Sequence, residues 1–201
     1  SGAIGAGCAE LRLSKRPSDV AALQAVAAVG QRCLMAILHD AFSHHDMEVG
    51  QVLLTRSDFD DRARFLNIRN CVLHLHSLGC VPIINENDAV AVDEIRFGDN
   101  DLLAALICNA LKADALLLLT VVDGLLDTDG KVIDMVEDTM AALALARRDK
   151  TKMGSGGIMT KLEAARLVTE AGEVAVIANG RLTNVLGRLL SGQAKLGTVF
   201  V

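Results

Sequence analysis

Apolar runs too short to cross a membrane, and too continuous for strands with one wet face, recur along this chain between segments of helical period. The stretch from Ala115 to Val122 is apolar except for Thr120, and Gly50–Thr55 and Val174–Asn179 are nearly as rich in Val, Ile, Leu and Ala. Strands covered on both faces read this way, as in a parallel sheet. Val81–Asn85 and Gly197–Val201 complete five predicted strands. Behind a predicted N-cap at Ser18, the residues Val20, Leu23, Val26, Ala27, Leu34, Ile37 and Leu38 recur at helical spacing. Gly30 inside that helix should cost about 1 kcal/mol relative to Ala, and close helix packing is a reason to keep it. Phe65, Ile68, Val72 and Leu75 predict a second helix, ended by Gly79. Asp101–Lys112 is apolar on nearly every face and should be deeply buried. Further helices are predicted over Thr139–Arg148, around Ile158, Leu162, Ala165 and Val168, and from Leu182 to Leu190, closing at Ser191-Gly192. Strands alternating with helices predict an α/β sandwich with a parallel sheet. With no repeat, low-complexity tract or linker, one domain over 1–201 is expected. Asp127-Thr128-Asp129-Gly130 has the chemistry of a hairpin tip.

Composition removes several classes of function. A net charge of −5, with no Lys/Arg cluster denser than Arg147-Arg148 with Lys150 and Lys152, gives no basic face for nucleic acid. Stacking aromatics are scarce too, since the chain has no Trp or Tyr and only five Phe. No apolar run approaches the ~18–20 residues of a membrane span. Five cysteines (Cys8, Cys33, Cys71, Cys80 and Cys108) form no C-x-x-C pair and fall mostly in apolar runs, which predicts reduced core residues of a cytoplasmic protein. The chain shows no signal peptide and opens on Ser1 without an initiator Met, so an upstream segment is expected to be absent.

Four polar or glycine-rich segments interrupt the apolar pattern, each at a strand end or a helix start, where α/β proteins place ligands. Ser1-Gly2-Ala3-Ile4-Gly5-Ala6-Gly7 lets backbone N–H groups approach a ligand, or is a plain flexible terminus. Asn85-Glu86-Asn87-Asp88 follows a strand, and Gly98-Asp99-Asn100-Asp101 opens the most apolar helix. Helix capping by Asp99 or Asn100 accounts for part of this polarity. Seven ligating groups exceed what a cap needs, and the carboxylates could hold an ammonium, Mg²⁺ or a lysine. Gly154-Ser155-Gly156-Gly157-Ile158-Met159-Thr160-Lys161 is a glycine loop running into a helix, an anion site with a lysine in its first turn. It lacks the G-K-[ST] order of a Walker A loop, and its bland alternative is a helix entry with a solvated lysine. His74 and His76 stand i, i+2 on a helix and are poor joint ligands; no metal site is expected. Asp58-Phe59-Asp60-Asp61-Arg62-Ala63-Arg64 reads as a solvated helix start. An anion site together with an acidic, amide-rich site suggests phosphoryl transfer to a small zwitterion, without naming it.

Ser1-Gly2-Ala3-Ile4, Ala28-Val29-Gly30-Gln31, Leu53-Leu54-Thr55-Arg56 with Asp61-Arg62, Asn85-Glu86-Asn87-Asp88-Ala89-Val90, Gly98-Asp99-Asn100-Asp101 and Gly154–Lys161 occur in one order. That order resembles the glutamate 5-kinases of the amino acid kinase family, across essentially the whole chain. The resemblance implies a three-layer αβα sandwich. It also implies ATP-dependent phosphorylation of the γ-carboxylate of L-glutamate to γ-glutamyl phosphate, the first step of proline biosynthesis, with ATP and Mg²⁺ as cofactors. Ser1, Asp88 and Asn100 are implied as glutamate contacts, and Asp101 as the carboxylate that orients catalytic lysines. Ser155, Gly156, Gly157, Ile158, Met159, Thr160 and Lys161 are implied as the nucleotide loop, with Lys161 also catalytic on the transferred phosphoryl. Thr120 and Val121 are implied near the nucleotide. A homo-oligomer, and proline as a feedback inhibitor, are further implications; nucleic acid and membrane partners are not expected.

Three departures accompany the resemblance. The family's N-terminal strand, its Lys/Gly phosphate loop and the following helix and strand have no counterpart here. Val121 stands where family members usually carry an acidic residue. A C-terminal PUA domain, common in the family, is not in the chain. A sibling kinase acting on another small acidic acceptor, and a non-catalytic amino acid-binding domain, are the alternatives.

Overall fold

The computed structural model describes residues 2–91, 100–148, 157–192 and 196–201. The chain divides into two compact units, 1–103 and 104–201.

The first unit opens with two helices whose backbones touch. Helix α1 spans Ala3–Glu10 and α2 spans Val20–Ser43. A Cβ on Gly7 would run into the carbonyl oxygen of Val26, and one on Gly30 into that of Ala3. Close packing is therefore what Gly30 supplies. The opening segment is helical from Ala3, not a flexible terminus. Gly5 and Gly7 within it hide such a helix, because each lowers helix propensity. Only Gly2 serves a turn, in the left-handed region at φ 85°. Asp19, not Ser18, caps α2 by accepting from the Ala22 N–H at 2.9 Å.

By length and composition α2 is also long and apolar enough to cross a membrane, an average that the polar interruptions Gln24, Gln31 and Arg32 conceal from a search for unbroken runs. Its face Leu23, Val26, Ala27, Gly30 and Gln31 is nevertheless buried within the unit.

Strands β1 (Val49–Leu54) and β2 (Val81–Glu86) pair in parallel, from Val49 opposite Val81 to Leu54 opposite Glu86. Helix α3 (Arg62–Ser77) is the crossover between them. Contrary to the expectation of full coverage, Gln51 and Leu53 of β1 are exposed. The acidic run before α3 is more ordered than a solvated start. Asp58 accepts from the Thr55 N–H at 2.8 Å, the Thr55 hydroxyl at 2.9 Å and Arg64 at 2.9 Å. Burial works to raise its pKa, but these bonds together hold the carboxyl below its ordinary value. Asp61 caps α3 through the Arg64 N–H at 2.8 Å.

Helix α4 (Asn100–Leu111) begins in the first unit and ends in the second. The second unit holds a four-stranded sheet in the order β3-β5-β6-β4, built from β3 (Ala115–Thr120), β4 (Met135–Val136), β5 (Val174–Asn179) and β6 (Thr198–Phe200). β3 and β5 are parallel, as are β4 and β6; β5 and β6 are antiparallel. β3 stops two residues short of the predicted run. β4 is too short to carry any periodicity of its own.

The core of this unit comes from β5, where Ala175, Val176, Ile177 and Ala178 are all buried, and from α6 (Gly157–Glu170), where Leu162, Ala164, Ala165 and Val168 are buried. Helices α5 (Thr139–Arg148) and α7 (Val185–Leu190) complete it. Asp127 forms the expected tip, its Oδ1 accepting from the N–H groups of Asp129 and Lys131, both at 2.9 Å. Of the five free cysteines only Cys108 is buried; Cys71 is exposed, against the expectation of core residues.

Gly30→Ala should gain helix propensity yet lower stability by a net ~2 kcal/mol, because the added methyl overpacks two backbones. Urea unfolding of the wild type and variant measures this; an unchanged or raised midpoint would show that α1 can move away freely.

Candidate active site

Parallel β1 and β2 end side by side, and the first unit gathers its polar side chains at that end. Asn85 is the penultimate residue of β2 and is 2% exposed. A buried amide must find partners there. Its Nδ2 donates to Oε1 of Gln31 on α2 at 2.7 Å, and its Oδ1 accepts from Nδ2 of Asn100 at 3.0 Å. Asn100 is the first residue of α4. Three amides from α2, β2 and α4 thus form one chain of hydrogen bonds. Asp101 follows as the second residue of α4.

The loop beyond β2 is pinned at both ends. The Asn87 N–H donates to the Leu54 carbonyl at 2.7 Å, and Gln24 of α2 donates to the Ala91 carbonyl at 3.2 Å. Within it, the Asn87 carbonyl accepts from the N–H groups of Val90 and Ala91. This loop carries Asp88, half-buried. Burial raises the Asp88 pKa, an effect that Arg16 partly offsets.

In the second unit the C-terminal ends of β3 and β5 also meet. The Gly180 N–H donates to the Thr120 carbonyl, and Asn179 Nδ2 donates to Asp123 Oδ1, both at 2.8 Å. Thr120 is half-buried there, whereas Val121 lies past the strand and is 62% exposed. Helix α6 starts at Gly157, so Ile158, Met159 and Thr160 lie in its first turn, with the Thr160 hydroxyl donating to the Gly157 carbonyl at 3.1 Å. Lys161 is half-buried and opens the second turn, not the first. Ser1, Asp99, Ser155 and Gly156 lie outside the described residues. Among the described residues no group of three or more His, Cys, Asp or Glu is placed to hold a metal ion.

The sequence model of the amino acid kinase family matches residues 1–179. The chain belongs to the amino acid kinase family. Among curated relatives it is 45% identical over 208 residues to glutamate 5-kinase of Caldanaerobacter subterraneus subsp. tengcongensis, covering 100% of this chain and 56% of that protein. It is 46% identical over 206 residues to glutamate 5-kinase of Gloeobacter violaceus, with the same coverage of 100% and 56%. The chain therefore spans little more than half the length of the curated relatives it matches.

Solved structures of the same fold share far less sequence. T. acidophilum isopentenyl phosphate kinase superposes with a TM-score of 0.62 at 17% identity, over 97% of this chain and 78% of that one. UMP kinase from Ureaplasma parvum gives 0.60 at 15% identity, over 96% and 74%. The α/β class with mainly parallel sheets is thus shared with both.

For this family member, sequence reasoning missed Gln31 as part of the polar end. The signal was present: Leu23, Val26, Ala27, Gly30 and Gln31 share one face of α2 at spacings of three, four, seven and eight, so a glutamine there falls on the buried stripe. From sequence Asn85 reads only as a member of a polar segment; its two partners, Gln31 and Asn100, come from the fold.

Because burial raises the Asp88 pKa, its contribution to stability is full below the ordinary value of 3.8 and is lost as pH rises through the folded value. Asn is neutral at every pH and escapes that loss. Asp88→Asn should therefore have a melting temperature at pH 7 no lower than the wild type, with the difference shrinking toward pH 3. A clear fall at pH 7 would mean that the carboxylate supports the fold.

Proposed function

We propose that the protein containing this chain phosphorylates the γ-carboxylate of L-glutamate from Mg-ATP, giving γ-glutamyl phosphate, the first step of proline biosynthesis. The observation that carries this reading is the pairing of a buried amide chain ending on Asn100 with a half-buried carboxylate, Asp88, on the pinned loop that follows the same strand. Amides suit the carboxylates of an amino acid, and Asp88 suits its ammonium. The identity of about 45% to glutamate 5-kinases along the whole chain supports the same acceptor.

On this reading Ser1, Asp88 and Asn100 contact glutamate. Ser155, Gly156, Gly157, Ile158, Met159, Thr160 and Lys161, with Thr120 and Val121, hold the nucleotide. The metal arrives as part of the Mg-ATP substrate. A γ-carboxylate oxygen attacks the terminal phosphorus, the bond to the departing ADP oxygen breaks, and no covalent enzyme intermediate forms. The acceptor is already ionised at pH 7, having a pKa of ~4.3, so no general base is required. Catalysis is then positioning together with neutralisation of charge, the latter by Lys161 on the phosphoryl group. Asp101 orients lysine side chains. We further propose that 1–201 is one amino acid kinase domain of a cytoplasmic homo-oligomer, with proline as a feedback inhibitor.

The deciding measurement is γ-glutamyl hydroxamate formation from L-glutamate, Mg-ATP and hydroxylamine by the full-length protein. Glutamate-dependent product is expected, and its absence from a folded protein would refute the reading. Lys161→Ala should lower kcat by about 10²-fold or more with little change in the glutamate KM. The reverse pattern would move Lys161 to the acceptor site. Asp88→Asn should raise the glutamate KM by about tenfold with a smaller effect on kcat, the loss of one charged hydrogen bond; an unchanged KM would remove Asp88 from the acceptor site.

A further inference from the structure

Gln31 is a poor choice for stability at its position. It is 8% exposed on a helix face made of Leu23, Val26, Ala27 and Gly30. Its Oε1 accepts from Asn85, but its Nε2 is buried with no hydrogen-bond partner among the described residues. A buried donor left unpaired opposes folding, and an apolar side chain of the same length would avoid the penalty. Residues that break a local packing rule in this way tend to be held by function.

Direct contact with a ligand does not explain it. The Nε2 atom has essentially no accessible surface, so nothing the size of a substrate touches it in this conformation. What Gln31 does reach is Asn85, and through Asn85 it reaches Asn100. In this chain of amides each link fixes the rotation of the next. Gln31 Oε1 accepts a hydrogen bond from Asn85 Nδ2, which turns Asn85 Oδ1 toward Asn100 Nδ2. The Oδ1 of Asn100 is thereby turned away from Asn85 and left to accept from another group. Without Gln31, the Asn85 amide has lost one of its two anchors and can rotate or flip, and Asn100 then presents a mixture of donor and acceptor faces.

We propose that Gln31 is a positioning residue for acceptor recognition: it acts through Asn85 to set the orientation in which Asn100 meets the amino acid. This rests on the reading of Asn100 as a glutamate contact. It adds a residue that touches no substrate and lies on a different element.

The test uses the full-length protein and the variants Gln31→Met, Asn100→Ala and the double variant. Glutamate affinity is measured by calorimetry, the ATP KM by kinetics and stability by melting temperature. Gln31→Met should weaken glutamate binding about five- to tenfold, the loss of one hydrogen bond's worth of orientation. The ATP KM should stay within about twofold, and the melting temperature should be equal or higher, since methionine has nothing to leave unpaired. In the Asn100→Ala background, Gln31→Met should cause no additional loss of affinity.

Unchanged glutamate affinity in Gln31→Met overturns the proposal. So does an equal loss in both backgrounds, which would mean that Gln31 does not act through Asn100. A lower melting temperature with a raised ATP KM also overturns it, as the mark of a merely structural residue. If the wild type itself fails to bind glutamate, the acceptor reading falls and takes this proposal with it. That outcome is recognised before any variant is made.

Discussion

Contact between the backbones of α1 and α2 at Gly7 and Gly30 governs the rest of the first unit. Backbones that touch leave a helix little freedom to roll about its axis. With Gly30 set against Ala3, the neighbouring Gln31 is held on the inward side of α2, where its amide meets Asn85. A larger residue at either glycine separates the helices and carries Gln31 with them. Two positions that make no polar contact through a side chain thus control where a polar side chain arrives. The cost of glycine in a helix, about 1 kcal/mol each, is the local penalty for that control.

The fold was readable wherever a pattern ran long enough. Among the described residues, five strands and six of the seven α-helices follow from continuous aliphatic runs and from helical spacing, because burial on two faces or along one stripe forces those periods. What escaped has physical reasons. Helix α1 carries two glycines and follows a third, and it packs against a partner distant in sequence. β4 is two residues long. The cap of α2 moved by one residue because Ser18 and Asp19 are both good caps and only geometry separates them. Cysteines in apolar runs read as core residues, but Cys71 is exposed on α3, and composition alone does not reveal which side of a helix a residue takes.

The candidate site was legible to a different degree in each half. Asn100, Asp101 and Asp88 stand out as polar residues in an apolar chain, and the structure puts them at strand and helix ends as expected. Lys161 and its glycine loop stand out by motif. The link from Gln31 to Asn85 was not legible, since the two are separated by 54 positions and neither spacing nor chemistry pairs them in advance. Family membership extends the reading to the fold and, through relatives roughly 45% identical, motivates the acceptor.

The hairpin tip at Asp127 has a consequence for how chains of this kind vary in length. Its hydrogen bonds are nearly all internal: the Asp127 side chain takes two N–H groups, and the Asp127 N–H itself goes to the Lys131 carbonyl at 2.8 Å. Among the described residues, these bonds all stay within 127–131, inside the Leu126–Val132 bridge. Such a self-contained tip is a permissive point for insertion, where a loop can lengthen or an appended module can enter without disturbing β3 or β5. Related proteins that differ in size within this unit should have gained or lost their residues here before anywhere in α6.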